Sequence, residues 1–124
     1  MPAGGGIFCS QCELSINGST TFVENMAMGL SDADAGANIG GGGAVCVIDS
    51  VLNIGGNTTF TALSATDGGA IYSNSPEINI SGRTTFDRNS ARHTGGAISS
   101  WRSTFSFPGS PAFTDNSADK FLEV

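Results

Sequence analysis

The residues able to do chemistry are few and scattered. Those suited to acid–base work on a polysaccharide are Asp67, Asp87, Arg88, Arg92, His93 and Lys120. They form no recurring set, and no Asp-Asp pair occurs. A glycosidase needs two carboxylates facing each other across one bond, and nothing in the sequence brings two together. His93 stands just before Thr94 and the pair Gly95-Gly96, the setting of a solvated turn residue. Asp32-Ala-Asp34-Ala-Gly36 alternates carboxylates ahead of a glycine, but a calcium loop of the EF-hand kind needs more oxygen ligands and a bidentate Glu. Cys9 and Cys12 have C-x-x-C spacing, and Cys46 makes the count odd. No second pair follows to close a zinc site, and no βαβ pattern surrounds them. Ordinary thiols are the first reading, one disulfide in an oxidising compartment the second, metal or redox chemistry the third. The expectation is a chain with no catalytic, cofactor-binding or metal-ligating residue, no cofactor and no enzymatic activity. The alternative is a carbohydrate-active lyase, hydrolase or epimerase.

Composition narrows the partners. The chain has 124 residues, 18 of them Gly, and only 13% are charged. Helical domains carry more charge and far less Gly. Thr, Ser, Asn, Ile, Val and Phe in short runs between glycines read as strands and turns, so the fold class is all-β. With a net charge of −6 and five Lys and Arg, most of the surface repels nucleic acid and anionic membranes. No apolar run reaches the ~20 residues of a spanning helix. The start, Met1-Pro2-Ala3-Gly4, lacks the basic and apolar regions of a signal peptide.

What positions every residue is an internal repeat. With Phe22, Phe60, Phe86 and Phe113 set in register, the second Gly of a pair stands seventeen residues earlier: Gly5, Gly43, Gly69, Gly96. Two residues after that glycine comes Ile7, Val45, Ile71 or Ile98. Eight before the Phe stand Leu14, Leu52, Ile78 and Phe105; six before it, Ile16, Ile54, Ile80 and Phe107. Gly18, Gly56, Gly82 and Gly109 precede the Phe by four, and Ala27, Ala65, Ala91 and Ala118 follow it by five. Each unit holds three short strand signals and cannot bury its apolar face alone, whereas stacked units share one core. The sequence therefore predicts a parallel β-helix of about four coils, with three short strands per coil. At ~4.8 Å per strand spacing it stands roughly 20 Å tall.

The coils are expected at about 4–27, 42–67, 68–94 and 95–120 of a single unit, 1–124. A Gly-, Ala- and Asp-rich insertion at 28–41 projects from one corner as a surface loop. The Phe column forms an inward aromatic ladder. The glycines take positive φ or let backbones pass closely. Asn25, Asn89 and Asn116 follow the Phe by three and are expected in left-handed bends, hydrogen-bonded along the stack; Leu63 breaks that ladder. Pro108, Pro111 and Ala112 predict an irregular or edge third strand in the fourth coil. Neither end shows the polar cap that solenoids use, so a piece of a longer protein, or end-to-end self-association, is expected.

Two motifs recur in alternation. Gly68-Gly69-Ala70-Ile71, Gly95-Gly96-Ala97-Ile98 and Gly42-Gly43-Ala44-Val45 carry a GGA(I/L/V) pattern, and Phe22-Val-Glu-Asn25, Phe86-Asp-Arg-Asn89 and Phe113-Thr-Asp-Asn116 an FxxN pattern. Together they resemble the repeats of the chlamydial polymorphic outer membrane proteins over essentially the whole chain. The first copy, Gly4-Gly5-Gly6-Ile7, lacks the Ala, and the second lacks the Asn. The resemblance implies a right-handed β-helical passenger, exposed at the cell surface or secreted, with adhesion to a cell-surface protein or glycan as its activity. Neither a signal peptide nor a membrane barrel comes with it here.

Between copies the outward residues vary, among them Tyr72, Arg83, Asp87 and Arg88. Recognition is expected there and in the 28–41 insertion. Thr21, Thr59 and Thr85 align as one outward column, but the next same-face column, Val23, Thr61, Asp87 and Thr114, is mixed. A flat two-column threonine face of the ice-binding kind is therefore not expected.

Overall fold

The computed structural model describes residues 3–27, 41–65, 68–74, 77–91, 95–101, 104–109 and 111–118. Its elements are all strands. The first coil holds β1 (Ala3–Gly4), β2 (Ile7–Ser10), β3 (Glu13–Ile16), β4 (Ser19–Val23) and β5 (Met26–Ala27). The second holds β6 (Gly41–Gly42), β7 (Val45–Ile48), β8 (Val51–Ile54), β9 (Asn57–Thr61) and β10 (Ser64–Ala65). In the third are β11 (Ile71–Asn74), β12 (Glu77–Ile80), β13 (Arg83–Asp87) and β14 (Ser90–Ala91). The fourth has β15 (Ile98–Trp101), β16 (Thr104–Ser106), β17 (Ala112–Thr114) and β18 (Ser117–Ala118).

Equivalent strands of successive coils pair in parallel, giving four four-stranded sheets: β2-β7-β11-β15, β3-β8-β12-β16, β4-β9-β13-β17 and β5-β10-β14-β18. This is a parallel β-helix, as the repeat predicts. Pairing follows the sequence alignment residue by residue. Phe22, Phe60, Phe86 and Phe113 face one another, as do Ile7, Val45, Ile71 and Ile98. Beyond the three strands expected per coil there is a two-residue one in every coil, reading Ser-Ala in the last three, and in the first two coils a further pair, β1 with β6. Two residues give no alternation to read, so only its Ala column is visible in sequence.

The core follows from period 2. Along β9 and β13 exposure alternates, with Thr58, Phe60, Thr84 and Phe86 inward. The rings stack nearly parallel, Phe22 on Phe60 at 5.0 Å, Phe60 on Phe86 and Phe86 on Phe113 each at 4.9 Å between centroids. Leu52, Ile54, Ile71, Ile78 and Ile80 complete the interior with Val45 and Val47. The Thr84 hydroxyl is buried there without a hydrogen-bond partner, whereas that of Thr58 donates to the Gly55 carbonyl at 3.2 Å.

The glycine columns divide the two roles expected of them. Gly56 and Gly82 have φ of 68° and 77°, the left-handed region where a Cβ is disfavoured. The second Gly of each pair is instead a point of close approach: a Cβ at Gly43 would fall on the Gly69 carbonyl oxygen, and one at Gly69 on that of Gly96. The asparagines require a correction. The left-handed residue at that corner is the one before the Asn: Glu24, Ala62, Arg88 and Asp115 have φ between 53° and 55°. The Asn89 and Asn116 side chains are committed to neighbouring coils, and the turn is made by the residue before each.

The third strand of the fourth coil is cut to three residues and lies at the sheet edge, as its prolines predict. Residues 28–40, nearly all of the expected insertion, lie outside the described residues.

Candidate functional site

Sorting residues by the face they occupy removes the motifs from the list of recognition residues. The Ala of the GGA motif is fully buried at Ala44, Ala70 and Ala97. Phe60 and Phe86 are fully buried as well. Asn89, also fully buried, makes the corner hydrogen bonds. Its Nδ2 donates to the Phe60 carbonyl at 3.1 Å, and its Oδ1 accepts from the Leu63 N–H at 3.0 Å. Asn116 does the same one coil later: Nδ2 donates to the Phe86 carbonyl at 3.0 Å, and Oδ1 accepts from the Asn89 N–H at 3.0 Å. The Asn89 Nδ2 also donates to the Asn116 Oδ1 at 2.9 Å, which links the two amides. Each asparagine thus caps backbone groups of the coil before it that the sheets leave unpaired.

What remains outward is mixed, and apart from one threonine column it differs from coil to coil. On β4, β9 and β13 the outward columns are Ser19, Asn57 and Arg83, then Thr21, Thr59 and Thr85, then Val23, Thr61 and Asp87. Arg88 continues this face around the corner, 64% exposed, and its Nε donates to the Asp87 Oδ2 at 2.9 Å. The two form a surface ion pair. On β8 and β12 the outward residues include an asparagine pair that sequence inspection missed. The Asn79 Nδ2 donates to the Asn53 Oδ1 at 2.8 Å and to the Glu77 Oε1 at 3.2 Å. Equal spacing of Asn53 and Asn79 from Phe60 and Phe86 is the signal that could have found it.

Tyr72 corrects another expectation. Strand alternation puts it outward on β11, beside Cys46 on β7. Yet Tyr72 is only 8% exposed and Cys46 is fully buried. The backbone of Gly42 runs close by: a Cβ there would come within 2.6 Å of the Tyr72 nitrogen. Burial pushes the Cys46 thiol up to about 12, against the opposing effect of a backbone hydrogen bond from Gly42. Tyr72 therefore leaves the set of recognition residues, while Arg83, Asp87 and Arg88 stay on the surface.

Cys9 and Cys12 form a disulfide across the β2–β3 corner, with Cα atoms 6.0 Å apart. The second reading of the C-x-x-C spacing holds, not the first. Ser50 supports the corner from the next coil: its Oγ donates to the Ile48 carbonyl at 2.6 Å and accepts from the Cys12 N–H at 3.1 Å. Among the described residues no group of three His, Cys, Asp or Glu is placed to share a metal ion. Asp67, Arg92, His93, Lys120, Asp32, Asp34 and Gly36 lie outside the described residues. Of the sequence candidates for acid–base chemistry, Asp87 and Arg88 alone are described, and the structure brings them together only as a surface ion pair.

Comparison with curated proteins and with solved structures gives no significant match. A family comparison does: residues 83–100 match the model of the Chlamydia polymorphic membrane protein repeat. This stretch runs from the start of β13 through the Asn89 cap and the Gly95-Gly96-Ala97 corner into β15, so it contains one FxxN motif and the GGA motif that follows it. Within this parallel β-helix, residues 83–100 are thus similar to one repeat of the Chlamydia polymorphic membrane proteins.

Proposed function

We propose that this chain is a stretch of an adhesin-like β-helix, exposed at the cell surface or secreted, that acts by binding and not by catalysis. The observation that carries the reading is the division of labour within the repeat. Residues 83–100 match a membrane-protein repeat, and its recurring side chains are inward or tied to neighbouring coils, as Phe86 and Asn89 are. Recognition is left to outward residues that change between coils, with the charged Arg83, Asp87 and Arg88 of the third coil as the candidates. Its partner is a cell-surface protein or glycan. The Cys9–Cys12 disulfide supports an oxidising, extracytoplasmic setting.

The test compares two variants for binding to intact cells and to a glycan array. Replacing Arg83, Asp87 and Arg88 together by Ala is expected to lower binding at least about tenfold while leaving the fold intact by circular dichroism, since polar surface positions contribute little to stability. Changing the outward pair Asn53 and Asn79 to Ser is expected to leave binding unchanged. A parallel screen for lyase and hydrolase activity on acidic polysaccharides is expected to be blank. Turnover of any of them would replace the binding reading with the carbohydrate-active one.

A further inference from the structure

The asparagines of the chain divide by what stands two residues later. Asn25, Asn89 and Asn116 are followed at that distance by Ala27, Ala91 and Ala118, the alanine column of the repeat. Asn17, Asn57 and Asn79 are followed by Ser19, Thr59 and Ser81, with Gly18, Thr58 and Ile80 between, and so read Asn-x-Ser/Thr without proline. That pattern is the acceptor for N-linked sugar, and it is used at exposed positions of exported proteins. The repeat excludes it where the asparagine is a structural cap. It occurs instead around the corner between β3, β8 and β12 on one side and β4, β9 and β13 on the other.

The three sites differ in what their amides already hold. Asn57 opens β9, is exposed, and has a paired strand on either side, β4 and β13. Residues two apart on a strand share a face, so Asn57 and Thr59 are both outward, while Thr58 between them is buried. The Asn57 backbone is fixed by its N–H, which donates to the Gly18 carbonyl at 2.9 Å. Its side-chain amide and the Thr59 hydroxyl have no hydrogen-bond partner among the described residues, so a sugar on its Nδ2 displaces no protein contact. Asn17 is exposed at the β3–β4 corner, and its side chain leans toward the second coil: a Cβ on Gly55 would stand 3.0 Å from its Oδ1. Its amide is unpartnered in the same way. Asn79 is not. Its Nδ2 donates to the Asn53 Oδ1 at 2.8 Å and to the Glu77 Oε1 at 3.2 Å, and the Ser81 hydroxyl donates to the Ile54 carbonyl at 3.4 Å. Both amide hydrogens of Asn79 are in use, and a sugar would take the place of one.

We propose that Asn57 and Asn17 carry N-linked sugar and that Asn79 stays bare. The donor is a sugar activated at its anomeric carbon as a glycosyl diphosphate. The asparagine Nδ2 attacks that carbon, the bond from the carbon to the diphosphate oxygen breaks, and the diphosphate leaves with the electron pair. The amide nitrogen gives up one proton, and nothing is oxidised or reduced. The chemistry is the same whether a lipid or a nucleoside bears the diphosphate. Parallel register sets Asn57 beside Arg83, ~4.8 Å away along the stack. The sugar on Asn57 therefore borders the Arg83, Asp87 and Arg88 surface. The proposal rests on the exported setting argued above, which the Cys9–Cys12 disulfide supports.

The test is peptide mass spectrometry of the protein recovered from its source cells. Cleavage after Asp and Glu puts Asn17, Asn57 and Asn79 on separate peptides, 14–24, 50–67 and 78–87. The first two are expected to carry added sugar mass, and the third none. Single hexose units point to a nucleoside diphosphate donor, and an oligosaccharide with a fixed core to a lipid-linked one; both support the proposal. Thr59→Val keeps Asn57 and the branched shape of the side chain but removes the hydroxyl, and is expected to empty Asn57 while Asn17 stays occupied. Circular dichroism shows whether that variant is folded, and the wild-type map decides the matter if it is not. A bare Asn57 in the wild type overturns the proposal, as does sugar that persists on Asn57 without the Thr59 hydroxyl. A bare Asn17 or an occupied Asn79 overturns the selection among the three sites. The cell-binding assay is a separate readout. A chain with bare Asn57 that binds cells overturns this proposal alone, and an occupied chain that binds nothing overturns the adhesin reading alone.

Discussion

The two middle coils and the two end coils contain the same columns and differ in what surrounds them. Phe60 and Phe86 are fully buried; Phe113, in the same position of the same repeat, is half exposed. Ile54 and Ile80 are buried, while Phe107 of their column is 44% exposed. Within a core column, burial therefore falls off at the fourth coil, while Ile16 of the first coil stays 6% exposed. The stack is the folding unit, and a single coil is not.

The largest effect should separate the middle from the end. Phe86→Ala removes a ring packed on both faces and is expected to cost about 3–5 kcal/mol, while Phe113→Ala, at a site that can relax into solvent, is expected to cost about 1–2 kcal/mol. Urea denaturation of the two variants in dilute solution reads the difference. Equal losses would mean that the rings do not act as a ladder.

That comparison also shows why most of the fold was legible. Each core column is an identity or near-identity across four copies, so alignment of the sequence became register in the sheets. Features that depend on something other than the repeat were not legible. The Ser-Ala strand is too short to show a period. The left-handed corner belongs to Glu24, Ala62, Arg88 and Asp115, whose types share nothing, so the eye goes to the uniform Asn beside them. Tyr72 looked outward because alternation made it so, and no local pattern reveals that this part of the sheet is covered. The C-x-x-C spacing alone does not bring two sulfur atoms together; the tight β2–β3 corner, with Gln11 at φ 54°, does. Of the candidate surface, Arg83, Asp87 and Arg88 were legible as variable positions, and the Asn53–Asn79 pair was not.

The asparagines sharpen the contrast. Asn89→Ala strands the Phe60 carbonyl and the Leu63 N–H in the interior and is expected to cost about 2–3 kcal/mol. Asn25→Ala, in dilute protein, is expected to stay within about 0.5 kcal/mol of wild type, because nothing is lost at an end. Thermal or urea melts of the pair measure it.

A smaller effect concerns the first coil alone. Reducing the Cys9–Cys12 disulfide frees a very short loop and is expected to lower stability by about 1–2 kcal/mol. Thiol titration should find one group before reduction, Cys46, reacting only on unfolding, and three after it. Three reactive thiols in the unreduced protein once it is unfolded would contradict the bridge.

The mildest prediction is a pH effect in the second coil. The Cys46 thiol is raised from 9.0 to about 12 by burial. Below pH 9 it is protonated in both the folded and the unfolded chain and leaves stability unchanged. Between pH 9 and about 12 the unfolded chain loses the proton first, so stability falls as pH rises. Cys46→Ala is expected to flatten that alkaline loss. A variant and wild type with the same alkaline slope would place the titration elsewhere.

Amide hydrogen exchange tests the central claim most directly, because it reads the stack coil by coil. In dilute protein, protection is expected to be greatest in β8, β9, β12 and β13 and to fall toward β3 and β4 on one side and β16 and β17 on the other. Protection that is uniform along the chain, or that follows one sheet through all four coils instead of following the coils, would contradict a fold whose stability each coil takes from its neighbours.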